Sequence, residues 1–191
     1  MSDWSIYYKQ HLSRPPRPLL VKAVSSCINK DRALELGAGT LIESKFLLDS
    51  GFNKVMAIDS SSEIENFAKA INDERLEVQV SAFQDLVLFP ENYDLISAQY
   101  ALPFYGPKGF EDFIQKLIDS LKPGGVFVGQ FFGDRDEWNT GKKHLAFQTK
   151  EEALALLSGL KIEEFTEEEK EGTVASGEPK HWHVFHFIAI K

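Results

Sequence analysis

Short apolar runs alternate with amphipathic stretches from residue 32 to residue 132. Three of the amphipathic stretches have apolar residues at helical spacing, namely Leu41–Ser50, Ser62–Ile71 and Phe110–Leu121. Strands that alternate with helices in this way predict a parallel sheet with helices on both faces. The apolar runs, which are bounded by turn residues as buried strands are, comprise Ala33–Leu36, Lys54–Ile58, Glu77–Val80, Asp94–Ala98 and Val126–Phe132.

The pattern changes in the later part of the chain. The connection between Val80 and Asp94 is short and contains a proline, so we expect little regular helix in it. Thr149 and Glu152 have the spacing of a helix capping box. This spacing predicts a helix that continues through about Ser158.

Two further apolar runs, Lys161–Thr166 and Trp182–Ile190, follow that helix. Two strands joined by a loop at the end of a parallel sheet pair antiparallel. We expect the acidic run Glu163–Glu171 to be a solvated edge and loop that keeps the edge strand from aggregating. The elements together predict an α/β three-layer sandwich: a doubly wound, mostly parallel seven-stranded sheet with a C-terminal antiparallel hairpin.

The composition narrows the compartment and the partners. The formal charge is −8, which is unlike a surface built to neutralise phosphates, so no nucleic-acid partner is expected. The single cysteine, Cys27, excludes an intrachain disulfide, fits a reducing compartment and is expected to be a buried structural thiol. The segment Met1–Trp4 lacks the features of a signal peptide, and no apolar run approaches the length of a membrane span. We expect a cytoplasmic protein, a monomer or homodimer, without membrane binding.

A predicted strand runs directly into a glycine-rich turn at residues 37–40, Gly-Ala-Gly-Thr. Gly37 permits a sharp turn and Gly39 lets the backbone approach a ligand closely, because neither residue has a β-carbon. Asp59 ends the next strand, 22 residues after Gly37. A carboxylate at that point can accept hydrogen bonds from ribose hydroxyls. This combination of turn and acid is shared with nicotinamide-dependent enzymes.

Three details distinguish this turn from a dinucleotide fingerprint. The third glycine of that fingerprint is replaced by Ile42, Glu35 lies within the strand before the turn, and Asp85 follows the third strand. Structural explanations stay open for each residue. The glycines can be ordinary turn residues, Asp59 can cap the helix that follows, Asp85 can belong to a turn, and Glu35 can pair with a basic side chain.

Four motifs in the expected order resemble those of class I S-adenosylmethionine-dependent methyltransferases, across nearly the whole chain from residue 34 to residue 191. The overall size and the histidine-rich tail 181–186 are similar to small tellurite-resistance-like methyltransferases. The resemblance implies a Rossmann-like methyltransferase domain over residues 31–191 and an N-terminal arm and helix over residues 1–30 that cover the cofactor site. It also implies S-adenosyl-L-methionine as the cofactor. The motifs are Leu34-Glu35-Leu36-Gly37-Ala38-Gly39-Thr40, Ala57-Ile58-Asp59, Tyr93-Asp94-Leu95-Ile96 and Leu121-Lys122-Pro123-Gly124-Gly125.

The resemblance also implies which residues hold the cofactor. Glu35 and the turn would hold the methionine part, Asp59 the ribose hydroxyls, and Asp85 the adenine amino group. The sequence departs from the family at Leu41, where many members carry a small residue, and we expect Leu41 to narrow the outer side of the turn. The expected cofactor-binding residues are Glu35, Gly37, Ala38, Gly39, Asp59, Ser60, Phe83, Gln84, Asp85 and Gln99.

Several aromatic residues are candidates for the acceptor side. Tyr7 and Tyr8 precede the fold and can close over the cofactor as a lid, or pack as an ordered tail. Tyr100 follows the fourth strand, and Trp138 follows the fifth, where substrates bind in open α/β sheets. Because aromatic residues flank the site and no further recognition domain is present, we expect a small, partly apolar methyl acceptor.

The histidines of the tail do not predict a metal site. Side chains alternate along a strand, so His181 and His183 face one way and His186 the other. Cysteine or carboxylate partners at metal-ligand spacing are missing, so no metal is expected. His183 is instead a candidate general base, as is Tyr100.

The expected reaction is in-line methyl transfer, in which the protein mainly holds both reactants in near-attack geometry. A sulfur nucleophile needs no base, whereas an oxygen or nitrogen nucleophile can need one, for which Tyr100, His183 and His144 are the candidates. Two alternatives stay open at this point. One is an NAD-dependent oxidoreductase on a related sheet, disfavoured by Ile42, and the other is a non-catalytic S-adenosylmethionine-binding protein.

Overall fold

The computed structural model describes residues 14–141, 144–174 and 176–191, and one sheet runs through them. None of the helices in these ranges is long and apolar enough to cross a membrane. The helices are α1 (Pro18–Ser25), α2 (Ile42–Asp49), α3 (Ile64–Ile71), α4 (Phe110–Ser120) and α5 (Lys150–Ala155). The strands are β1 (Arg32–Leu36), β2 (Lys54–Asp59), β3 (Leu76–Val80), β4 (Tyr93–Ala98), β5 (Leu121–Gly133), β6 (Phe147–Gln148), β7 (Lys161–Thr173) and β8 (Pro179–Ile190).

The strand order along the sheet is β3-β2-β1-β4-β5-β8-β7, with β6 beside β5. The first five strands are parallel to one another, and β8 runs antiparallel to both β5 and β7. This confirms the predicted doubly wound sheet with its antiparallel hairpin. Strand β6, which brings the number of strands in the sheet to eight, was not predicted. It has two residues, which pair with Phe132 and Gly133 of β5.

The two faces of the sheet are covered by different helices, because side chains alternate along each strand. On the first face, Leu34 and Phe127 pack in one apolar cluster with Phe113 and Leu117 of α4. On the second face, the central strands pack against α1 and α2, for example through the fully buried Leu20. Burying each such side chain contributes about 1.5–3 kcal/mol.

The connection from β3 to β4 contains only a short 3-10 turn, Phe83–Asp85, as its length predicted. Leu86 and Leu88 lie on the first face, where they and Met56 line a cleft of about 430 Å³. The side chains of Val87 and Phe89 beside it are 75% and 66% exposed. This part of the sheet is therefore covered by an irregular segment instead of a helix.

The capping box predicted at the start of α5 is present. The Glu152 backbone N–H donates to Thr149 Oγ1 (3.2 Å), and the Thr149 backbone N–H donates to Glu152 Oε2 (2.8 Å). The helix ends at Ala155, three residues before the predicted end, because Leu157 and Leu160 turn the chain back into the core.

The predicted strand Lys161–Thr166 is too short, because β7 continues to Thr173. The acidic run is paired with β8 along its length instead of opening into a loop. Cations offset its charge: Arg135 lies 2.7 Å from both Glu167 and Glu169, and Lys170 lies 2.8 Å from Glu168. Compensated charge lets this acidic segment remain extended at the edge of the sheet.

Cys27 follows α1 and is half-buried, with its thiol 3.6 Å from the Ala23 carbonyl. Burial raises the pKa of this thiol to about 12. The thiolate form is therefore suppressed at neutral pH, in keeping with a structural thiol.

Candidate functional site

The glycine turn lies where the strand order reverses, between β1 and β4. Gly37 has a φ of +68°, and a β-carbon there would lie 2.6 Å from the β-carbon of Ala101, the third residue after β4. The backbone N–H groups of Gly37 and Ala38 both donate to the Ile58 carbonyl, at 2.8 and 3.0 Å. The turn is thus held between the carboxyl ends of β2 and β4, and only glycine fits at its first position.

Leu41 packs into the core and not on the outer side of the turn, where we expected it. It has a φ of +63° and is fully buried, in one cluster with Ala38, Ala57 and Ile64. The cost of its left-handed backbone, about 1–2 kcal/mol, is offset by this burial. Leu41 therefore anchors the turn to α3.

Asp59 fastens the end of β2 to the glycine turn. Its Oδ2 accepts a hydrogen bond from the Gly39 backbone N–H (2.8 Å), and its Oδ1 accepts one from the Ser61 backbone N–H (2.9 Å). A carboxylate oxygen has two lone pairs, so this support is compatible with binding ribose hydroxyls as well. Ser60, beside it, is exposed at the same edge of the sheet.

Glu35 is a buried carboxyl beneath the turn, 2% exposed. The Ser44 hydroxyl of α2 donates to it. Burial, followed by the neighbouring Glu43 carboxylate, raises the pKa of Glu35 well above its ordinary value. Such a group is ready to receive a cationic partner, because an ammonium nearby would favour its ionised form.

A short N-terminal segment, residues 14–17, crosses this part of the site. Arg14 Nη2 donates to Glu43 Oε2 (2.7 Å), and the Arg17 backbone N–H donates to Glu43 Oε1 (3.2 Å). The Arg17 guanidinium lies over the Tyr100 ring, 4.5 Å from its centre. The segment therefore links the first turn of α2 to the residues after β4. Tyr7 and Tyr8 lie outside the described residues.

The residues after β4 are fixed by amide side chains. Tyr100 has a φ of +58°, and its backbone N–H donates to Gln130 Oε1 of β5 (2.7 Å). Gln130 Nε2 donates to Gln99 Oε1 (3.2 Å), and Gln99 Nε2 donates to Ser97 Oγ (3.3 Å). A strained backbone held by a partly buried hydrogen-bond network is typical of functional sites.

The segment after β3 reaches the turn through one side chain. The Phe83 ring lies 3.9 Å from the position that a Gly37 β-carbon would take. The Gln84 side chain donates to the Tyr105 carbonyl (2.7 Å), and Asp85 is exposed. Phe83 thus meets the turn directly, whereas the Gln84 amide is directed to another loop.

Four aromatic side chains, which we call the ring cluster, pack together on the second face. They are Tyr100, Phe132, Trp138 and Trp182. Trp182 meets the Tyr100 ring edge-on at 6.3 Å and lies 5.8 Å from Phe132 and 5.6 Å from Trp138, between ring centres. The cluster continues the site from the carboxyl end of β4 to that of β5.

His183, a candidate general base by sequence, lies away from the ring cluster. Its side chain is 0% exposed and lies on the first face, where its ring meets that of Phe185. Its Nδ1 accepts from the Arg135 backbone N–H (3.1 Å), and its Nε2 lies 3.1 Å from Glu167. Both ring nitrogens are used in joining β8 to its neighbours.

His186 lies on the opposite face, as the alternation predicted, and was considered only as a metal ligand. Its ring meets the Tyr100 ring edge-on at 6.1 Å. Burial lowers the pKa of His186, so the imidazole is neutral at neutral pH and can accept a proton. The shared face with Trp182 is the sequence signal that could have identified it. Within the described residues, no group of three or more metal-ligating side chains is assembled.

Comparison with known proteins agrees with this geometry. Residues 33–125 match the methyltransferase domain family. A curated relative, alpha N-terminal protein methyltransferase 1 of Dictyostelium discoideum, is 30% identical over 118 residues, which are 60% of this chain. The chain spans about 40% of the length of that relative.

Two solved structures share the fold at low sequence identity. TehB from Haemophilus influenzae aligns with a TM-score of 0.77 at 16% identity, over 97% of this chain and 65% of that one. The 1,6-didemethyltoxoflavin N1-methyltransferase of Burkholderia thailandensis, with bound 1,6-didemethyltoxoflavin and S-adenosylhomocysteine, aligns with a TM-score of 0.65 at 20% identity. This second alignment covers 92% and 77% of the two chains. Residues 33–125 therefore match a methyltransferase domain, and the described sheet shares the fold of solved S-adenosylmethionine-dependent methyltransferases.

Proposed function

We propose that this chain transfers the methyl group of S-adenosylmethionine to a small-molecule acceptor. The observation that carries the proposal is the close approach of Gly37 to Ala101. A β-carbon added to Gly37 would lie 2.6 Å from the β-carbon of Ala101. Ala101 directly follows Tyr100 of the ring cluster. The cofactor turn and an aromatic surface are thereby adjacent, which is what transfer between two bound molecules requires.

The residues around the turn fit the cofactor by their chemistry. Asp59 offers carboxylate oxygens to a ribose diol, and Glu35 offers a buried carboxyl to the ammonium of the methionine part. Phe83, whose ring tip lies 3.9 Å from the position that a Gly37 β-carbon would take, offers an aromatic contact to a purine ring. We propose that further residues contact the cofactor through their own backbone or side chains. They are Ala38, Gly39, Ser60, Gln84, Asp85 and Gln99.

When bound, S-adenosylmethionine supplies a methyl group already activated by a positively charged sulfur. The protein then has to orient the acceptor and exclude water. The ring cluster does both, since its side chains are large, apolar and packed on one another. An acceptor thiolate needs no base. For a hydroxyl or amine, neutral His186 beside Tyr100 is the group that can hold the released proton.

The aromatic surroundings favour a small, partly apolar acceptor. The neighbour that methylates 1,6-didemethyltoxoflavin supports this class, because its acceptor is itself a small molecule. The relative named as a protein N-terminal methyltransferase favours a different acceptor, the terminal amine of a polypeptide. The two acceptors differ in size, so one assay separates them.

The deciding experiment is methyl transfer from isotopically labelled S-adenosylmethionine. The panel contains benzenethiol, small aliphatic thiols, metalloid oxyanions, small amines and a peptide with a free N-terminus. Label in a small molecule supports the proposal. Label in the peptide alone overturns the small-molecule acceptor, and tight cofactor binding with no turnover on any member favours the non-catalytic alternative.

A thermal-shift comparison tests the cofactor independently of the acceptor. S-adenosylhomocysteine at 100 times its Kd stabilises a protein by about 2.7 kcal/mol, which is readily measured. We expect this stabilisation with S-adenosylhomocysteine and none with NAD. Stabilisation by NAD alone would return the chain to the oxidoreductase alternative.

A further inference from the structure

A lysine lies completely buried at the start of β8, at the border of the ring cluster. The side chains of Lys180 and its partner Asp136 are 1% and 0% exposed, and Nζ lies 2.5 Å from Oδ2. A buried ammonium without such a partner would cost several kcal/mol, so the two charges depend on each other.

The lysine ammonium also contacts three aromatic rings. It lies 3.4 Å from the centre of the Trp182 ring, 4.5 Å from that of Trp138 and 5.4 Å from that of Phe132. Indole faces are the best aromatic partners for a cation, and desolvated contacts of this kind contribute about 2 kcal/mol. Lys180 therefore constrains the orientation of two indoles at once.

Asp136 fixes the backbone of the same region. Its Oδ1 accepts a hydrogen bond from the Trp138 backbone N–H (2.9 Å), and its Oδ2 accepts one from the His183 backbone N–H (3.3 Å). The carboxylate thereby joins the loop after β5 to strand β8. The ion pair thus controls both the ring and the backbone of Trp138.

The two indoles lie at the edge of the sheet that carries the glycine turn. Because β8 runs antiparallel to β5, the beginning of β8 lies beside the carboxyl end of β5, with Val184 opposite Phe132. Trp182 then meets Tyr100, which precedes the residue in contact with Gly37. An acceptor near the turn would meet these rings.

We propose that the Lys180–Asp136 ion pair is a positioning device that holds Trp138 and Trp182 as the aromatic wall of the acceptor site. The proposal rests on the proposed function. Two apolar side chains of similar volume would fill the same space at lower desolvation cost, so the pair's contribution is ring orientation and not stability. Lys180 and Asp136 are positioning residues, since they act through the indoles.

The first test is spectroscopic and requires no acceptor. The background variant Trp4→Phe leaves Trp138 and Trp182 as the tryptophans. In this background we compare Lys180→Met/Asp136→Asn, which removes both charges while the new amide oxygen at position 136 still accepts from the Trp138 N–H. We expect the acrylamide quenching constant to rise about twofold as the rings loosen, with unchanged far-ultraviolet circular dichroism.

The matched control is Lys150→Met, which removes a lysine from the more exposed ion pair with Glu167, whose N···O distance is 3.2 Å. It is expected to leave quenching unchanged. If the double variant does not fold, Lys180→Arg replaces it, because the guanidinium keeps a charged partner for Asp136 but does not reproduce the position of the ammonium over the two indoles. If the folded variant has the same acrylamide quenching constant as the Trp4→Phe background, the proposal is overturned.

The second test is kinetic, with benzenethiol as the acceptor probe. In the double variant we expect KM for benzenethiol to rise about tenfold, equivalent to about 1.4 kcal/mol of binding. The kcat and the affinity for S-adenosylhomocysteine are expected to stay within about twofold of those of the unsubstituted protein. This is the pattern expected when a variant loses acceptor binding that is equally strong in the ground state and the transition state. A matching loss of cofactor affinity overturns the positioning role. Absence of turnover with every small molecule of the panel in the unsubstituted protein refutes the proposed acceptor class, while the quenching result still decides the ring orientation.

Discussion

Replacing Gly37 by alanine tests whether the glycine turn is shaped by its contact with Ala101. The new methyl group would lie 2.6 Å from the Ala101 β-carbon at a φ of +68°, about 1 Å closer than carbon atoms pack. The backbone conformation costs about 1–2 kcal/mol for a residue with a β-carbon, and overpacking costs about 1–3 kcal/mol more. Their sum, about 2–5 kcal/mol, lowers the melting temperature by about 4–20 °C in a chain of this size.

A matched control separates the two contributions. Gly124 has a φ of +78°, and nothing lies within 4 Å of the position that a β-carbon would take there, so Gly124→Ala carries the backbone cost alone. Chemical unfolding of both variants gives the difference, expected to be about 1–3 kcal/mol. Displacement of the turn should also weaken S-adenosylhomocysteine binding by at least about tenfold in Gly37→Ala only. If the two variants have equal stabilities and equal affinities for S-adenosylhomocysteine, the close approach to Ala101 is not the reason for glycine at position 37.

Three further substitutions probe single groups. Asp59→Ala removes the carboxylate that accepts from the Gly39 and Ser61 N–H groups and from the proposed ribose hydroxyls. Calorimetry should therefore show that the affinity for S-adenosylhomocysteine falls by about 100-fold or more. An unchanged affinity would remove Asp59 from the ribose-binding role. The pKa of Glu35 is raised on folding, so the free enzyme loses stability as pH rises from the unfolded value through the folded one. Urea unfolding between about pH 4 and pH 8 should show this loss in the parent and not in Glu35→Gln, and equal slopes would contradict the buried-acid assignment. Thr149→Ala breaks the capping box, and scanning calorimetry should show about 1 kcal/mol of destabilisation with unchanged cofactor affinity; a change in affinity would connect α5 to the site.

The periodicity of the sequence predicted the sheet well where strands are buried and bounded by turns. The strands β1 to β5 each contain one of the apolar runs that the pattern marks, whereas their order along the sheet was not predicted. The end of β7 was missed because its charge is offset by partners such as Arg135, which lies in the loop after β5, far away in the sequence. The two residues of β6 carry no periodic signal at all.

For the candidate site, residue type predicted chemistry better than it predicted position. The alternation of β8 separated His183 from His186 correctly, yet only the packing shows which face meets Tyr100. The inward placement of Leu41 depends on its positive φ, which residue type does not indicate. The link from Arg14 to Glu43 joins segments 29 positions apart, so local pattern could not reveal it.

The compensated charges of β7 have a consequence for how copies of this protein meet in solution. Hydrogen bonds from Arg135 lower the pKa values of Glu167 and Glu169 to about 2 each. These two glutamates therefore stay ionised and paired with Arg135 in acid, after ordinary carboxylates have become neutral. The ion pairs along this outermost strand therefore persist over a wide range of acidity, and charged side chains at a sheet edge disfavour its pairing with the edge of a second copy.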